Sequence, residues 1–264
     1  MVGRRRRGWS DVASLRPMTT DELLARACPI IRDIGWAHFF SPEAEATAAR
    51  LGLDLFTLYA LGRGGVLGDV EPVVVASAFG YFNPEVVDAL WNAGRAQVAP
   101  REAARAYLDC AAEVGRRKLS GIEGLDAMVA AADAVNEAAD PVGLALYAGY
   151  RGELLVDDTP GRAMQVVHVL RELRGSAHLI ALRCSGVDAR TAHFIKRPGD
   201  GPMFGWPEGF MPEISDDQRA AAERAEALTD DLVHPAYAVL DDAGAAALLR
   251  GLDDMQAALA DGSS

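Results

Sequence analysis

The sequence predicts an all-α multi-helix bundle: a helical N-terminal body followed by two long C-terminal helices. Three observations lead there. Capping residues followed by proline or an acid recur along the chain, alanine-rich stretches repeat their apolar residues at helical spacing, and strand evidence is confined to Val73-Val74-Val75. That β-branched run is short, begins at Pro72 and continues as Ala-Ser-Ala, which suits a buried helix equally well.

In chain order, the first helix signal is Thr19-Thr20-Asp21-Glu22, a capping box ahead of Leu23, Leu24 and Ala27. Ser41-Pro42-Glu43 and Asn83-Pro84-Glu85 each place a cap before proline at the first helical position and an acid at the positive end of the helix dipole. Leu53–Leu61 reads as helical. Pro100 opens an amphipathic run to about Lys118, Gly124 to Ala139 forms another, and Thr159-Pro160 starts a long helix through Leu182. Ser215-Asp216-Asp217-Gln218 is a second capping box, opening a charged helix to about Val233, and a last helix runs from Asp241 to about Ala260. Between them, Lys196–Ile214 carries eight glycines and prolines, which predict irregular structure, together with Met203, Phe204, Trp206, Phe210 and Met211. A loop with so much apolar area must pack over the helical body or close a pocket, and packing is the expected use. The organisation is therefore a basic leader over 1–17, a helical body over 18–195, a Pro/Gly-rich apolar loop over 196–214 and a helical pair over 215–264.

Composition narrows the function. The 264 residues hold 26 Lys+Arg against 38 Asp+Glu, a formal charge of −12, and half are hydrophobic, so the chain has apolar surface enough for a core. Its acidity makes nucleic acid an unlikely partner, because affinity for phosphate comes from clustered cations. Cys28, Cys110 and Cys184 are widely spaced and odd in number, which suits a reducing cytoplasm and excludes a disulfide framework. No apolar stretch approaches the roughly 18 residues a membrane helix requires. The leader holds five arginines against Asp11 alone, yet lacks the apolar segment of an export signal; it reads as disordered, with Met18 an alternative start.

Candidate chemistry concentrates in Ala163–Leu182. On a helical wheel Val166, Val169, Leu170 and Leu173 form one apolar face, while His168 and Glu172, one turn apart, fall opposite and off the core. Arg171, Arg174 and His178 line one edge beside them, a strip able to bind a carboxylate or phosphate. The competing reading, and the favoured one, is a solvated face with a His168–Glu172 contact. His168 and Glu172, with His178, His38, His193 or His234, offer metal-ligand types, but the spacing lacks a zinc signature and no metal is predicted. Gly175 suggests a kink or a close helix approach. Gly62–Gly68 fails as a phosphate cradle, having neither a preceding strand nor Gly-Lys-Ser/Thr, and reads as an interhelical loop. The aromatic pairs Phe39-Phe40 and Tyr81-Phe82 precede helix starts; such pairs ordinarily staple chain to core, though two of them can frame one pocket.

HFFSPEAEATAARLGL (His38–Leu53), FGYFNPEVV (Phe79–Val87), LRELRGSAHLIAL (Leu170–Leu182), AHF (Ala192–Phe194) and ERAEALTDDLVHPAYAVLDDAG (Glu223–Gly244) occur in an order that resembles an actinobacterial helix-turn-helix family of largely uncharacterised helical proteins. The resemblance implies a helical N-terminal body and a winged-helix-like part, and no particular reaction. Where the family motif has histidine and aspartate, Leu173 and Ser176 stand here, and the Lys196–Ile214 loop occupies the place of the DNA-reading part. The following helix, Asp216–Val233, is too acidic to face phosphate.

The leading expectation is a cytoplasmic protein that binds a small ligand, an anion foremost, near Arg171, Arg174, His178, His168 and Glu172. One alternative is an enzyme using His168 or His178 as general acid/base with the Met203–Met211 loop as lid. Another is a winged-helix-type regulator. No cofactor is specified, and the apolar stripes of the two C-terminal helices make a homodimer seam or packing on their own subunit.

Overall fold

Most of the helices start where a side chain captures an otherwise unpaired backbone N–H; the long ones entered from Ala99 and Gly124 do not. In the computed structural model, which describes residues 17–260, the Thr19 hydroxyl accepts from Glu22 N at 3.2 Å while the Glu22 carboxylate accepts from Thr19 N at 2.9 Å, opening α1 (Thr20–Ile34). Ser41, Asp54 and Asn83 likewise cap α2 (Pro42–Leu51), α3 (Leu55–Gly64) and α5 (Pro84–Arg95), with α4 (Pro72–Phe79) between. Next come α6 (Pro100–Leu119), α7 (Leu125–Ala138) and α8 (Ala145–Arg151), then α9 (Thr159–Ser185), capped by Asp158 and stopped by Gly186 at φ 82°. Asp188 caps α10 (Ala189–Lys196), the Ser215 capping box opens α11 (Asp216–Tyr237), and α12 (Asp242–Ala260) follows. Among the described residues there is no strand, so the all-α expectation holds. The basic leader lies, save Pro17, outside the described residues.

The 27-residue α9 is the axis of the fold, packed by α1, α6, α7, α8 and α11. Val166, Val167, Val169, Leu170 and Leu173 are buried on it, as the wheel requires. So are His168, at 0 % exposure, and Glu172, at 1 %. This overturns the off-core, solvated placement of that pair. A wheel identifies the more apolar side of a helix, but a helix surrounded by five others buries its polar side as well.

Three further expectations are corrected. Gly62–Gly68 is no loop: it continues α3 and turns through a 3₁₀ helix, Gly65–Leu67, because its glycines let α3 and α6 meet. A Cβ on Gly65 would stand 2.0 Å from the Pro100 carbonyl oxygen, and one on Gly62 2.6 Å from Tyr107 Cβ. The Lys196–Ile214 stretch contains a 3₁₀ helix, Pro198–Phe204, since prolines fix the φ that such a turn needs. Gly175 makes no close helix contact; a Cβ there meets nothing within 4 Å. Of the valine run, Val75 is buried in α4, while Val73 and Val74 are exposed.

The apolar stripes of α11 and α12 pack within the chain. Ala225, Val233 and Tyr237 are buried where α11 meets α9 and α1, and Leu248, Leu252 and Met255 where α12 meets α7 and α1. Among the described residues no helix is long and apolar enough to cross a membrane. The glycines differ in what a methyl group would do. Gly65→Ala is expected to lower stability to chemical denaturation by about 1–3 kcal/mol through overpacking. Gly175→Ala is expected to leave it unchanged or raise it by up to about 1 kcal/mol through helix propensity.

Candidate functional site

The buried carboxylate of Glu172 sets the site. Arg63, on α3, donates to it through Nε at 3.0 Å and Nη2 at 2.8 Å, and Arg171 donates through Nη1 at 2.6 Å. Burial works to raise the Glu172 pKa, but Arg63 and then Arg171 overcome it and hold the group at about 2. Two guanidinium groups thus share one carboxylate, leaving one positive charge in excess. Arg63 is itself buried, stacks on Phe79 with its guanidinium 4.5 Å from the ring centre, and donates to Tyr59 Oη at 3.1 Å.

Above this pair lies a cavity of about 350 Å³. Arg171, Arg174, Gly175 and His178 form its floor, since spacings of three, four and seven residues fall on one stripe of α9. The end of α1 and the turn after it supply Cys28, Trp36, Phe39 and Phe40; α3 supplies Phe56, Tyr59 and Arg63; Tyr81 and Phe82 close one side. His193 and Lys196 on α10, Arg197 just after it, Met203 and Phe204 in the 3₁₀ helix, and Glu226 on α11 also line it, as does Arg32 of α1, which is paired with Asp33 at 2.8 Å. The missing side chain at Gly175 gives the cavity room. The two aromatic pairs frame one pocket as well as stapling the chain, and the 196–214 segment both packs and lines: Phe204 lies 4.5 Å from Phe82 between ring centres, and Trp206 Nε1 donates to Tyr81 O at 3.0 Å.

The second cation on the floor is tied down. Arg174 Nη2 donates to Glu226 at 3.0 Å and to Asp230 at 2.9 Å, and Lys196 also pairs with Glu226. Burial would raise the Glu226 pKa, yet Lys196 and Arg174 hold it at about 2. His178 Nδ1 lies 2.7 Å from Thr229 Oγ1, whose own proton goes to Ala225 O at 2.6 Å; Nδ1–H is therefore the donor, and Nε2 is the acceptor in the neutral ring. Burial lowers the pKa of His178. The Cys28 thiol is pushed up to about 11, chiefly by burial, which keeps it a thiol at neutral pH. Arg171 Nε, Arg174 Nε and His193 Nε2 are buried and find no hydrogen-bond partner among the described residues.

Of the five sequence candidates, then, Arg171, Arg174 and His178 reach the cavity, and His168 and Glu172 lie behind its wall. His168 Nδ1 is 3.1 Å from Gly35 O, and its ring packs against His38, Tyr107 and Tyr150 with centroid separations of 5.2, 5.9 and 4.5 Å. His168 Nε2, both nitrogens of His38 and the hydroxyls of Tyr107 and Tyr150 have no partner among the described residues. Among those residues no group of three or more His, Cys, Asp or Glu is disposed to hold a metal ion. Sequence reasoning missed Arg63, Tyr59 and Glu226. Arg63 carried a signal: a lone arginine between glycines in the otherwise apolar run 55–68 has to find a buried acid.

Two expectations follow for stability. Glu172→Gln would leave the buried Arg63 guanidinium, and the partly buried Arg171 beside it, undercompensated and cost about 3–5 kcal/mol, read by denaturant unfolding. His168, with a pKa lowered by burial to about 4, stays neutral in the fold while the unfolded ring takes a proton near 6.5. Burial also holds His38 well below its ordinary value. The unfolded chain binds more protons than the fold below about 6.5, so stability falls as pH drops from there, for His168 by up to about 1.4 kcal/mol per pH unit down to about 4, and His38 acts in the same direction. Thermal unfolding of His38→Phe across this range should show a shallower slope than the parent; an equal slope would remove His38 from the account.

A family model described as a helix-turn-helix family matches residues 25–212, the larger part of the chain, which therefore belongs to that family. No curated protein and no solved structure matches it.

Proposed function

We propose that this member of the helix-turn-helix family binds a small organic anion in the α9 cavity, with its acidic group at Arg171 and its apolar body against the aromatic wall. The observation that carries the reading is the sharing of Glu172 by two arginines, which leaves Arg171 with unspent charge and a buried, unpartnered Nε. An excess cation inside a low-dielectric cavity favours an anion far more than the same charge would on the surface. Phe39, which Arg171 overlies at 5.5 Å, together with Trp36 and Phe56, offers apolar ring faces and edges for the rest of the molecule.

A regulator that reads DNA is the second reading, favoured by the family's description. The chain has two helix–turn–helix units with three-residue, glycine-initiated turns: α2 to α3 through Gly52-Leu53-Asp54, and α9 to α10 through Gly186-Val187-Asp188. In both, the second helix lines the cavity, through Phe56, Tyr59 and Arg63 in one and His193 and Lys196 in the other. Helices that would enter a major groove are here committed to the pocket, and the formal charge of −12 opposes phosphate. These features favour the ligand-binding reading.

Fluorescence titration with anilinonaphthalene sulfonate, beside its uncharged phenylnaphthylamine counterpart, tests it. The sulfonate should bind more tightly than the neutral compound, and Arg171→Gln should weaken it about tenfold, the value of one charge-assisted hydrogen bond. Equal affinities for parent and Arg171→Gln, with native circular dichroism, would overturn the assignment. On immobilised heparin at low salt the protein should flow through.

A further inference from the structure

A second cavity, of about 360 Å³, lies between α3, α5 and the 3₁₀ helix Pro198–Phe204. Phe56, Tyr59, Phe82 and Met203 border both cavities, so a single layer of side chains divides them. Two members of that divider are only partly covered by protein: Phe56 is 48 % exposed and Met203 41 % exposed. Methionine is unbranched with three rotatable bonds and re-packs at little cost. Behind the divider the walls are apolar, formed by Phe79, Val87, Leu90 and Pro202. The one charged residue there, Asp54, is occupied in capping α3, accepting from Thr57 N at 3.0 Å and Thr57 Oγ1 at 2.5 Å. All the cations belong to the first cavity.

From this division we infer that the ligand is an amphipathic monoanion with an extended acyl-type chain, its carboxylate at Arg171 and its chain passing Met203 into the second cavity. The inference rests on the anion-binding reading and adds the chain. Charge is available at one end only, and the other end has no polar group that seeks a partner, so a second polar head would be desolvated there without compensation. Occupying both cavities roughly doubles the space for the ligand, and a movable divider lets the chain enter without disturbing the core.

Calorimetric titration with saturated n-alkanoates from hexanoate to hexadecanoate, against the parent and Leu90→Trp, tests the inference. Leu90 borders the second cavity alone, so the tryptophan fills it and leaves Arg171 untouched. In the parent, affinity should rise by up to about fourfold per methylene until the second cavity is full. In Leu90→Trp the rise should stop at a shorter chain, with the short alkanoates unaffected; Leu90→Phe, a smaller intrusion, serves if the tryptophan disturbs folding. A rise that stops at the same length in parent and variant, or no rise at all while anilinonaphthalene sulfonate still binds through Arg171, would overturn the chain's placement and leave the anion site standing. Failure of every anion to bind would remove both.

Discussion

The bridge from Arg63 to Glu172 to Arg171 is the constraint on which the rest depends. A carboxylate in the middle of a helical bundle is tolerated only if its charge is answered, and each guanidinium that answers it must be held by something further. Arg63 is held by stacking on Phe79 and by Tyr59, and its bonds to Glu172 fix α3 against α9 and give the cavity one wall. Arg171 reaches back to the same carboxylate, which orients its free edge. An apolar triad of similar volume would hold the helices as well or better, so stability alone gives no reason for the ions. What they supply is a cation placed at a chosen point in an apolar cavity, and the anion-binding reading gives that placement a use.

Along α9 two stripes serve two purposes. His168 and Glu172 belong to the inner one, where polar atoms meet His38, Tyr107, Tyr150 and Arg63; Arg171, Arg174, Gly175 and His178 belong to the next, where the floor is polar and partly open. A rotation of about 100° round the helix separates support from contact. Arg174 and Lys196 are both answered by acids of α11, so the floor has one cation with capacity to spare and another that mainly ties helices together. The cation count along the strip therefore overstates the charge a ligand would meet.

What the sequence makes legible is what it encodes locally. Thr19, Ser41, Asn83 and Ser215 declare helix starts because cap and captured N–H lie within three residues, and the structure has a helix at each. Asp188 carries the same kind of signal for α10, although the continuous apolar pattern of α9 obscures it. The burial of His168 could not be read that way: it depends on five helices arriving from elsewhere, and a wheel contains none of them. Glycine misleads for a related reason. Gly65 and Gly175 look alike in sequence, yet one is pressed against Pro100 and the other faces open space. The arginine strip was visible because its spacing is helical; its acid partners on α11, more than fifty residues away, were not.

The separation of Arg63 from Glu172 also bears on how the chain is made. They are 109 residues apart, and at ribosomal rates of roughly 5–20 residues per second the acid follows the arginine by roughly 5–20 s. Phe39, Tyr59 and Phe79 already have ring partners among residues made before α9. The acid that answers Arg63 comes later: until α9 emerges, burying that side chain among those rings would leave an uncompensated guanidinium. Synthesis thus leaves a window in which the aromatic cluster can assemble only with Arg63 turned to water, and a slower ribosome widens it.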